Sequence, residues 1–407
     1  MPEALADSEL LEALKAEAQH PTRVAAAKSL GLLTNAFCAR LATAKSRGLV
    51  APTGGGKAVE TPDLLRRQVK RLEGELKLVA KEALEHTYIK EKILNLESSV
   101  TDADIPSWVL NTKKGHDQPG VPTLVLSDLH FGEVVDPTQV GGVNAYNMAI
   151  AKARLKAVGE GAVRLLTIIS PEFKYPGLVL VLGGDLVNGN LREESTATNE
   201  ENIMPVVLAL YEQVGSMIET MVEKFGRVFL PCVSGNHGRN TVKTWSSDRH
   251  ATSFEWLLYN LLAKRYAHDK RISFLIPNGV DANYKIFDTR FLLNHGDSYR
   301  GGDGVIGVLG PVVRGDYKKR ARNSQINMPY DVQILGHFHQ YIHLSKLIIN
   351  GSLIGYNSYA YNGNFPYEPP CQALFLTHPK HGITFRMPVF AATDARKTTT
   401  NWVSVNK

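Results

Sequence analysis

Five apolar runs in this 407-residue chain end in residues that bind metals or move protons. "VPTLVLSD" stops at Asp128, with His130 two places on, and "GLVLVLGGD" stops at Asp185. "GRVFLPCVSGN" ends at Asn236, followed by His237; "FDTRFLLNHGD" carries His295 and Asp297; "DVQILGHFH" carries His337 and His339. Each run has the length and composition of a buried strand. In a layered α/β sheet the loops at the carboxyl ends of the strands gather in one crevice, so tips far apart in sequence meet in space. Carboxylate and amide oxygens mixed with imidazoles, without sulfur, suit Mn, Fe, Zn and related divalent ions such as Ni or Co. These donors are too many for one ion. Two ions about 3.5–4 Å apart that share a carboxylate would account for them. Asp185 is the expected bridge, because the glycines of "GGD" let backbone and metal approach closely.

One Asp-x-His after a strand is more often a turn residue beside a surface histidine; five such ends in one chain argue for a site. Their order, DxH, GD, GNH, an His-Gly-Asp block and GHxH, resembles the calcineurin-like metallophosphoesterase superfamily over residues 121 to about 390. The resemblance implies an α/β fold, a sandwich of two mixed β-sheets flanked by helices. It further implies that Asp128, His130 and His339 hold a first metal, that Asn236, His295 and His337 hold a second, and that Asp185 is shared. His237 then orients the phosphate and protonates the leaving oxygen, while a water activated between the ions attacks phosphorus in line. Manganese is the expected metal. Two departures stand out. Gly238 and Arg239 follow the GNH block where an acid is usual, so a carboxylate holding His237 has to come from elsewhere, with Asp297 and Asp248 as candidates. In relatives that degrade DNA ends a histidine follows the GD motif, and here "GDLVNG" places Asn188 there.

Substrate class is read from charge. Between His295 and His337 the insertion "HGDSYRGGDGVIGVLGPVVRGDYKKRARNSQ" carries Arg300, Arg314, Lys318, Lys319, Arg320 and Arg322, which would neutralise phosphates outside the reacting one. Together with Asn188 and Arg239 these are the candidate substrate contacts. The bland alternative is a solvated helix face. Trp245 and the tyrosines of "GYNSYAYNGNFPYEPP" are either base platforms or loop packing.

The rest of the chain has to position this site or bring substrate to it. With 43% hydrophobic and 21% charged residues it should fold as a globular protein. The three cysteines, Cys38, Cys232 and Cys371, lack any CxxC pairing, so no disulfide framework or thiolate zinc site is expected. No apolar run is long enough for a membrane span and the start lacks a secretion signal, which together point to the cytoplasm of a bacterial or phage-infected cell. From His20 to Val59 there are six Lys or Arg and no Asp or Glu, whereas the first seventeen residues carry five acids. In that basic stretch apolar residues recur at Val24, Ala27 and Leu30, then at Leu33, Phe37 and Leu41, with Gly31 between. Residues 1–50 therefore resemble a helix-turn-helix whose second helix starts near Thr34 or Asn35. The alternative is a helical hairpin that only packs or oligomerises. Residues 51–62, "APTGGGKAVETP", read as a flexible linker. Residues 63–99 read as a long helix with one apolar seam, fit to pair in a homodimer or to lie on the following domain. Residues 121–390 form the catalytic domain and 391–407 a tail. The sequence thus leads to a two-metal phosphoester hydrolase, a nuclease with DNA as partner, whose arrangement resembles phage or prophage phosphoesterases. The rivals are a phosphatase or small-nucleotide phosphodiesterase and a non-catalytic DNA-binding regulator.

Overall fold

The computed structural model describes residues 6–50, 105–110, 120–171, 175–191, 193–245, 247–300 and 307–391. The expected linker, the long helix 63–99 and all but the first residue of the tail lie outside them. The chain divides into two units, residues 1–87 and 88–407.

In the first unit, α1 (Asp7–Gln19), α2 (Arg23–Ser29) and α3 (Thr34–Ser46) surround a small core of Leu10, Leu14, Ala27, Phe37 and Leu41. Thr22 caps α2 by accepting the Ala25 N–H at 3.2 Å, and Gly31, at φ +66°, makes the turn before α3. Val24 and Leu33 do not join the core, being 63% and 79% exposed; Ala26 and Ala44 are buried instead. The basic stretch meets the acidic helix that precedes it. Arg47 pairs with Asp7 at 2.7 Å, Arg23 with Glu17 at 2.9 Å and Arg40 with Glu9 at 3.5 Å. Much of the charge asymmetry seen along the sequence is therefore answered within this unit.

In the second unit, alternate residues of each strand enter different cores, as a two-faced sheet requires. On β1 (Val121–Leu126) and β2 (Leu178–Leu182), Leu124, Leu126, Leu178, Leu180 and Leu182 pack under helices α4 (Met148–Ile169) and α5 (Ile203–Phe225). Val121, Val125, Val179 and Val181 face the other way, onto a second sheet. The first sheet continues through β3 (Val228–Pro231) and β4 (Ile272–Leu275), all parallel, and closes on the other side with antiparallel β10 (Cys371–His378) and β11 (Gly382–Phe390). Its order is β11-β10-β1-β2-β3-β4.

The second sheet contains β5 (Asp281–Ile286), β6 (Thr289–Asn294), β7 (Val332–Leu335), β8 (Ile342–His343) and β9 (Leu347–Ile349), in the order β5-β6-β7-β9-β8 with parallel and antiparallel neighbours. Its inner face supplies Tyr284, Phe291, Leu293, Ile334 and Ile348 to the shared core. Two further helices matter to the site: α6 (Phe254–Arg265), and α7 (Leu309–Gln325), which packs Val312 against Leu335, Leu347 and Ile349. The result is two mixed sheets face to face with helices outside, the architecture the sequence led us to expect. Among the described residues no helix is long and apolar enough to cross a membrane.

Candidate metal centre

The strands that carry the candidate ligands, β1, β2, β3, β6 and β7, belong to both sheets, and their carboxyl ends converge. Three overlapping groups of ligand atoms result, each with its members within 4.8 Å of one another: Asp128, His130 and His339; His130, Asp185 and His237; Asp185, His295 and His337. Asp185 links the second group to the third.

The backbone at these positions is bent back on itself. Asp128, His130, Asp185, His337 and His339 all have φ between +46° and +70°, a region that side-chain-bearing residues seldom enter. Such strain persists only where surrounding contacts hold it. Here the contacts are reciprocal between strand ends. Asp128 N–H donates to the Gly184 carbonyl and His130 N–H to the Asp185 carbonyl, each at 3.0 Å. The His337 N–H donates to Asp128 Oδ1 at 2.9 Å, and the His237 N–H to Asp185 Oδ1 at 2.7 Å. Close approach also demands glycine: a Cβ at Gly235 would run into the Asp185 carboxylate, and one at Gly336 into that of Asp128.

At the centre imidazole nitrogens and carboxylate oxygens crowd together, and one buried oxygen lacks a partner. His130 Nδ1 faces the oxygens of Glu133 at 3.2 Å and Asn188 at 3.3 Å and so donates to them, which turns Nε2 toward the centre. That Nε2 lies 3.1 Å from Nε2 of His339. His295 Nδ1 likewise donates to the Gly183 carbonyl at 2.9 Å, and its Nε2 faces Asp185 Oδ2 at 2.9 Å. Nε2 of His339 is 3.4 Å from Asp128 Oδ1. The buried Asn236 Oδ1 has no hydrogen-bond partner among the described residues. An orphaned oxygen beside converging imidazole nitrogens and carboxylates fits divalent cations, and the oxygen-plus-imidazole donors suit borderline ions such as Mn, Fe and Zn. The residues present therefore fit a two-metal group.

The electrostatics agree. Burial raises the Asp128 carboxyl, but the hydrogen bond and charge of His339 outweigh it and hold the group below its usual range. Burial opposes the charged form of Asp185 too, and His295 and His237 hold it well below the usual range. His130 and His295 are pushed up to about 9 and about 10: burial works against this, while Glu133 and Asp185 respectively override it. His337 moves the other way, to about 4, through burial and the charge of His295. Burial alone would discharge the two carboxylates, and the imidazoles around them keep them ionised.

Supporting residues not apparent in the sequence complete the centre. Beneath Asp128, Ser127 Oγ donates to Asp128 Oδ2 at 2.5 Å and accepts from Asn350 Nδ2 at 2.9 Å, and Gln372 Oε1 accepts the Ser127 N–H at 2.9 Å. Glu133, tied to Asn357 at 3.0 Å, fixes the tautomer of His130. Glu255, in the first turn of α6, accepts the Leu186 N–H at 2.5 Å and the Gly235 N–H at 2.6 Å, so one buried carboxylate fastens the loops of Asp185 and Asn236 together. Burial, then the charge of Asp185, pushes Glu255 up to about 7. Glu255→Gln keeps the shape but turns an amide NH2 toward one of the two N–H groups. It should lower stability by about 1–3 kcal/mol and weaken Mn affinity by about 10- to 100-fold. Calorimetric Mn titration and thermal melting check this, and wild-type values in both would remove Glu255 from the support of the site.

His237 faces a backbone carbonyl rather than Asp297. Its Nδ1 lies 3.1 Å from the Asn188 carbonyl, while Asp297 is taken by Arg249 at 2.7 Å. The loop before α6 thus ties itself to the His-Gly-Asp loop through an ion pair instead. Asn188 is a scaffold residue: its side chain bonds His130 and Asn199, and its carbonyl faces His237. Arg239 donates to the Asn236 and Thr241 carbonyls, bracing its own loop. Arg320 pairs with Asp316 at 2.8 Å and donates to the Tyr330 carbonyl at 3.0 Å, tying α7 to the turn before β7. All three make contacts inside the fold. Arg300, Arg314, Lys318, Lys319 and Arg322 gather around one cavity. Trp245 is 53% exposed. The loop tyrosines pack on one another, with the Tyr356 centroid 6.2 Å from that of Tyr361 and 5.5 Å from that of Tyr367.

The sequence matches no protein-family model and no curated protein. Among solved structures it is similar to a conserved uncharacterized protein of Streptococcus pneumoniae TIGR4, described as a predicted phosphoesterase, with TM-score 0.23 and 10% identity over 66% of this chain and 97% of the other. It is also similar to the sulfate thiohydrolase SoxB of Thermus thermophilus, in complex with glycerol, with TM-score 0.27 and 11% identity over 69% of this chain and 58% of the other.

Proposed function

We propose that this chain is a two-metal phosphoester hydrolase and that its substrate is a nucleic-acid phosphodiester, DNA in particular. The observation that carries the enzymatic part is the convergence of Asp128, His130 and His339 with Asp185, His295 and His337 around one shared carboxylate, beside the orphaned Asn236 oxygen. Bound there, two divalent ions, manganese being the favoured pair, would supply Lewis acidity toward the phosphate oxygens and a water acidic enough to attack phosphorus near neutral pH.

The protein's own residues do the rest. Asp185 sits between the two ligand groups and fixes their separation. His130 and His295, with Nδ1 committed to Glu133 and Gly183, present Nε2 without rotational search. His237, anchored through Nδ1 and its backbone N–H, holds a proton at Nε2 for the departing oxygen.

The nucleic-acid part is supported by the cationic cavity on α7, just past the His-Gly-Asp loop. The three-helix unit supports it through shape, since α3 follows a Gly turn and turns Asn35, Ala36 and Ala39 outward. The pairing of its cations with α1 favours a second reading, in which this unit packs or assembles and the enzyme is a phosphatase or small-nucleotide phosphodiesterase. A Mn-supplemented panel of single-stranded DNA, duplex DNA, RNA, cyclic nucleotides and aryl phosphates decides. DNA should be cleaved best. Preference for aryl monophosphates with DNA untouched would establish the phosphatase reading, and inertness toward every ester would end the enzymatic one.

A further inference from the structure

Helix α7 carries Arg314, Lys318 and Arg322 at i, i+4 and i+8, a single stripe of like charge. Such neighbours repel one another, and a face serving only solubility would mix signs. The stripe is exposed to solvent along one edge of a concave surface. It forms one side of a cavity of about 330 Å³ that Arg300 and Lys319 also line, so five cations surround one space and, among the described residues, no carboxylate lines it. Asp281 meets two of them, pairing with Lys319 and, at 2.6 Å, with Arg322.

The cavity is also built. Its aromatic wall, Tyr299, is fixed by its hydroxyl, which contacts the side chains of Gln333 and Asn294. Gly315 lies flat against that ring, where any Cβ would collide with it. Lys319 is only 8% exposed, and its ammonium lies 5.8 Å from the Tyr299 ring centroid. Arg300, Arg314 and Lys318, by contrast, are exposed at the mouth. The volume falls within the range of small-ligand pockets, about 300–1,000 Å³, and a rigid cationic wall below a ring of exposed cations suits a ligand carrying several phosphates.

We propose that this cavity is an anion subsite that binds phosphate groups of an extended polyanion at a distance from the reacting phosphorus. The chemistry is shared by a nucleic-acid strand and a free polyphosphate chain. Placement favours the strand. Ser298, Tyr299 and Arg300 follow the ligand His295 within five residues, so the wall begins within about 18 Å of the metal centre even at full extension, and the Tyr299 N–H to Gly296 carbonyl turn shortens that. This assignment rests on the phosphoesterase reading of the adjoining site.

The test uses the full chain with Arg314→Ala/Lys318→Ala, both residues exposed, and with Arg300→Ala, after confirming an unchanged melting temperature. Three probes are compared in Mn: a single-stranded oligonucleotide, bis(p-nitrophenyl) phosphate, which has one phosphorus, and tripolyphosphate binding by calorimetry. The oligonucleotide KM should rise about tenfold or more in the double variant, with a shallower dependence on salt, by about 0.7 in slope for each phosphate no longer neutralised. Hydrolysis of bis(p-nitrophenyl) phosphate should stay at the wild-type rate. Loss of tripolyphosphate binding with an unchanged oligonucleotide KM would keep the anion subsite and assign it to a free polyphosphate. Unchanged KM and unchanged tripolyphosphate binding would overturn the subsite, as would an equal loss on the one-phosphorus ester. Wild-type inertness toward both esters would fail the enzymatic reading alone, since tripolyphosphate binding still tests the cavity.

Discussion

Asp185→Ala is expected to reduce hydrolysis of every phosphoester by about a thousandfold or more, with bound Mn falling from two ions per chain toward one. Among the described residues no other side chain joins the His130 and His237 group to the His295 and His337 group. Asp185 Oδ2 faces His295 at 2.9 Å and its Oδ1 accepts the His237 N–H at 2.7 Å, so its removal frees His295 on one side and His237 on the other. The carboxylate is also the counter-charge for the imidazoles: with it gone, His295 loses the main influence that raises it to about 10. The fold should survive, because Leu186 and Gly235 remain tied to Glu255. Metal analysis of the purified variant, together with kinetics on bis(p-nitrophenyl) phosphate, checks the expectation. A variant that retains two ions and measurable turnover would show that the ligand groups act as separate sites.

The second large effect belongs to His237. If it protonates the leaving oxygen, His237→Ala should lower kcat on DNA by about 10²–10⁴, while Mn binding stays within a few-fold of wild type, since the Asp185, His295 and His337 group is untouched. The loss should shrink sharply on p-nitrophenyl esters, whose leaving group departs without a proton. His237 Nδ1 is committed to the Asn188 carbonyl and the ring lies edge-on to His130 at a centroid distance of 4.5 Å. An equal loss on good and poor leaving groups would recast His237 as a phosphate-orienting residue, and a matching loss of Mn would make it a ligand. Adding Asn188→Asp, which leaves the carbonyl in place, should not restore activity to the His237→Ala variant.

Much of this molecule is legible along the chain because strands alternate with period two and stop at polar residues. The five runs became β1, β2, β3, β6 and β7, and the residues at their ends converged, since parallel neighbours all point their carboxyl ends the same way. Strands β4, β5, β8, β9 and β11 gave no such signal because they are short, partly exposed or at sheet edges, whereas β10 is long and buried but leads into no ligand motif. Helix α3 was readable from Gly31 and the spacing of Phe37 and Leu41, whereas the exposure of Val24 and Leu33 was not, because α1 sets which face of that hairpin is covered.

Sequence by itself determined the chemistry: which side chains are present, how each follows an apolar run, and that sulfur is absent from the centre. Tertiary structure alone decided how those side chains are held. Glu255 joins two loops about 70 and 20 residues away in sequence, Asn350 reaches Ser127 across 223 residues, and Arg249 takes Asp297 from His237. It also divided the cations of α7, turning Arg320 to Asp316 and gathering Arg314, Lys318, Lys319 and Arg322 around a cavity. The physical reason is that periodicity and turn residues record local backbone preference, whereas a buried carboxylate finds its partner only after the sheets have packed and removed the water that would otherwise have satisfied it.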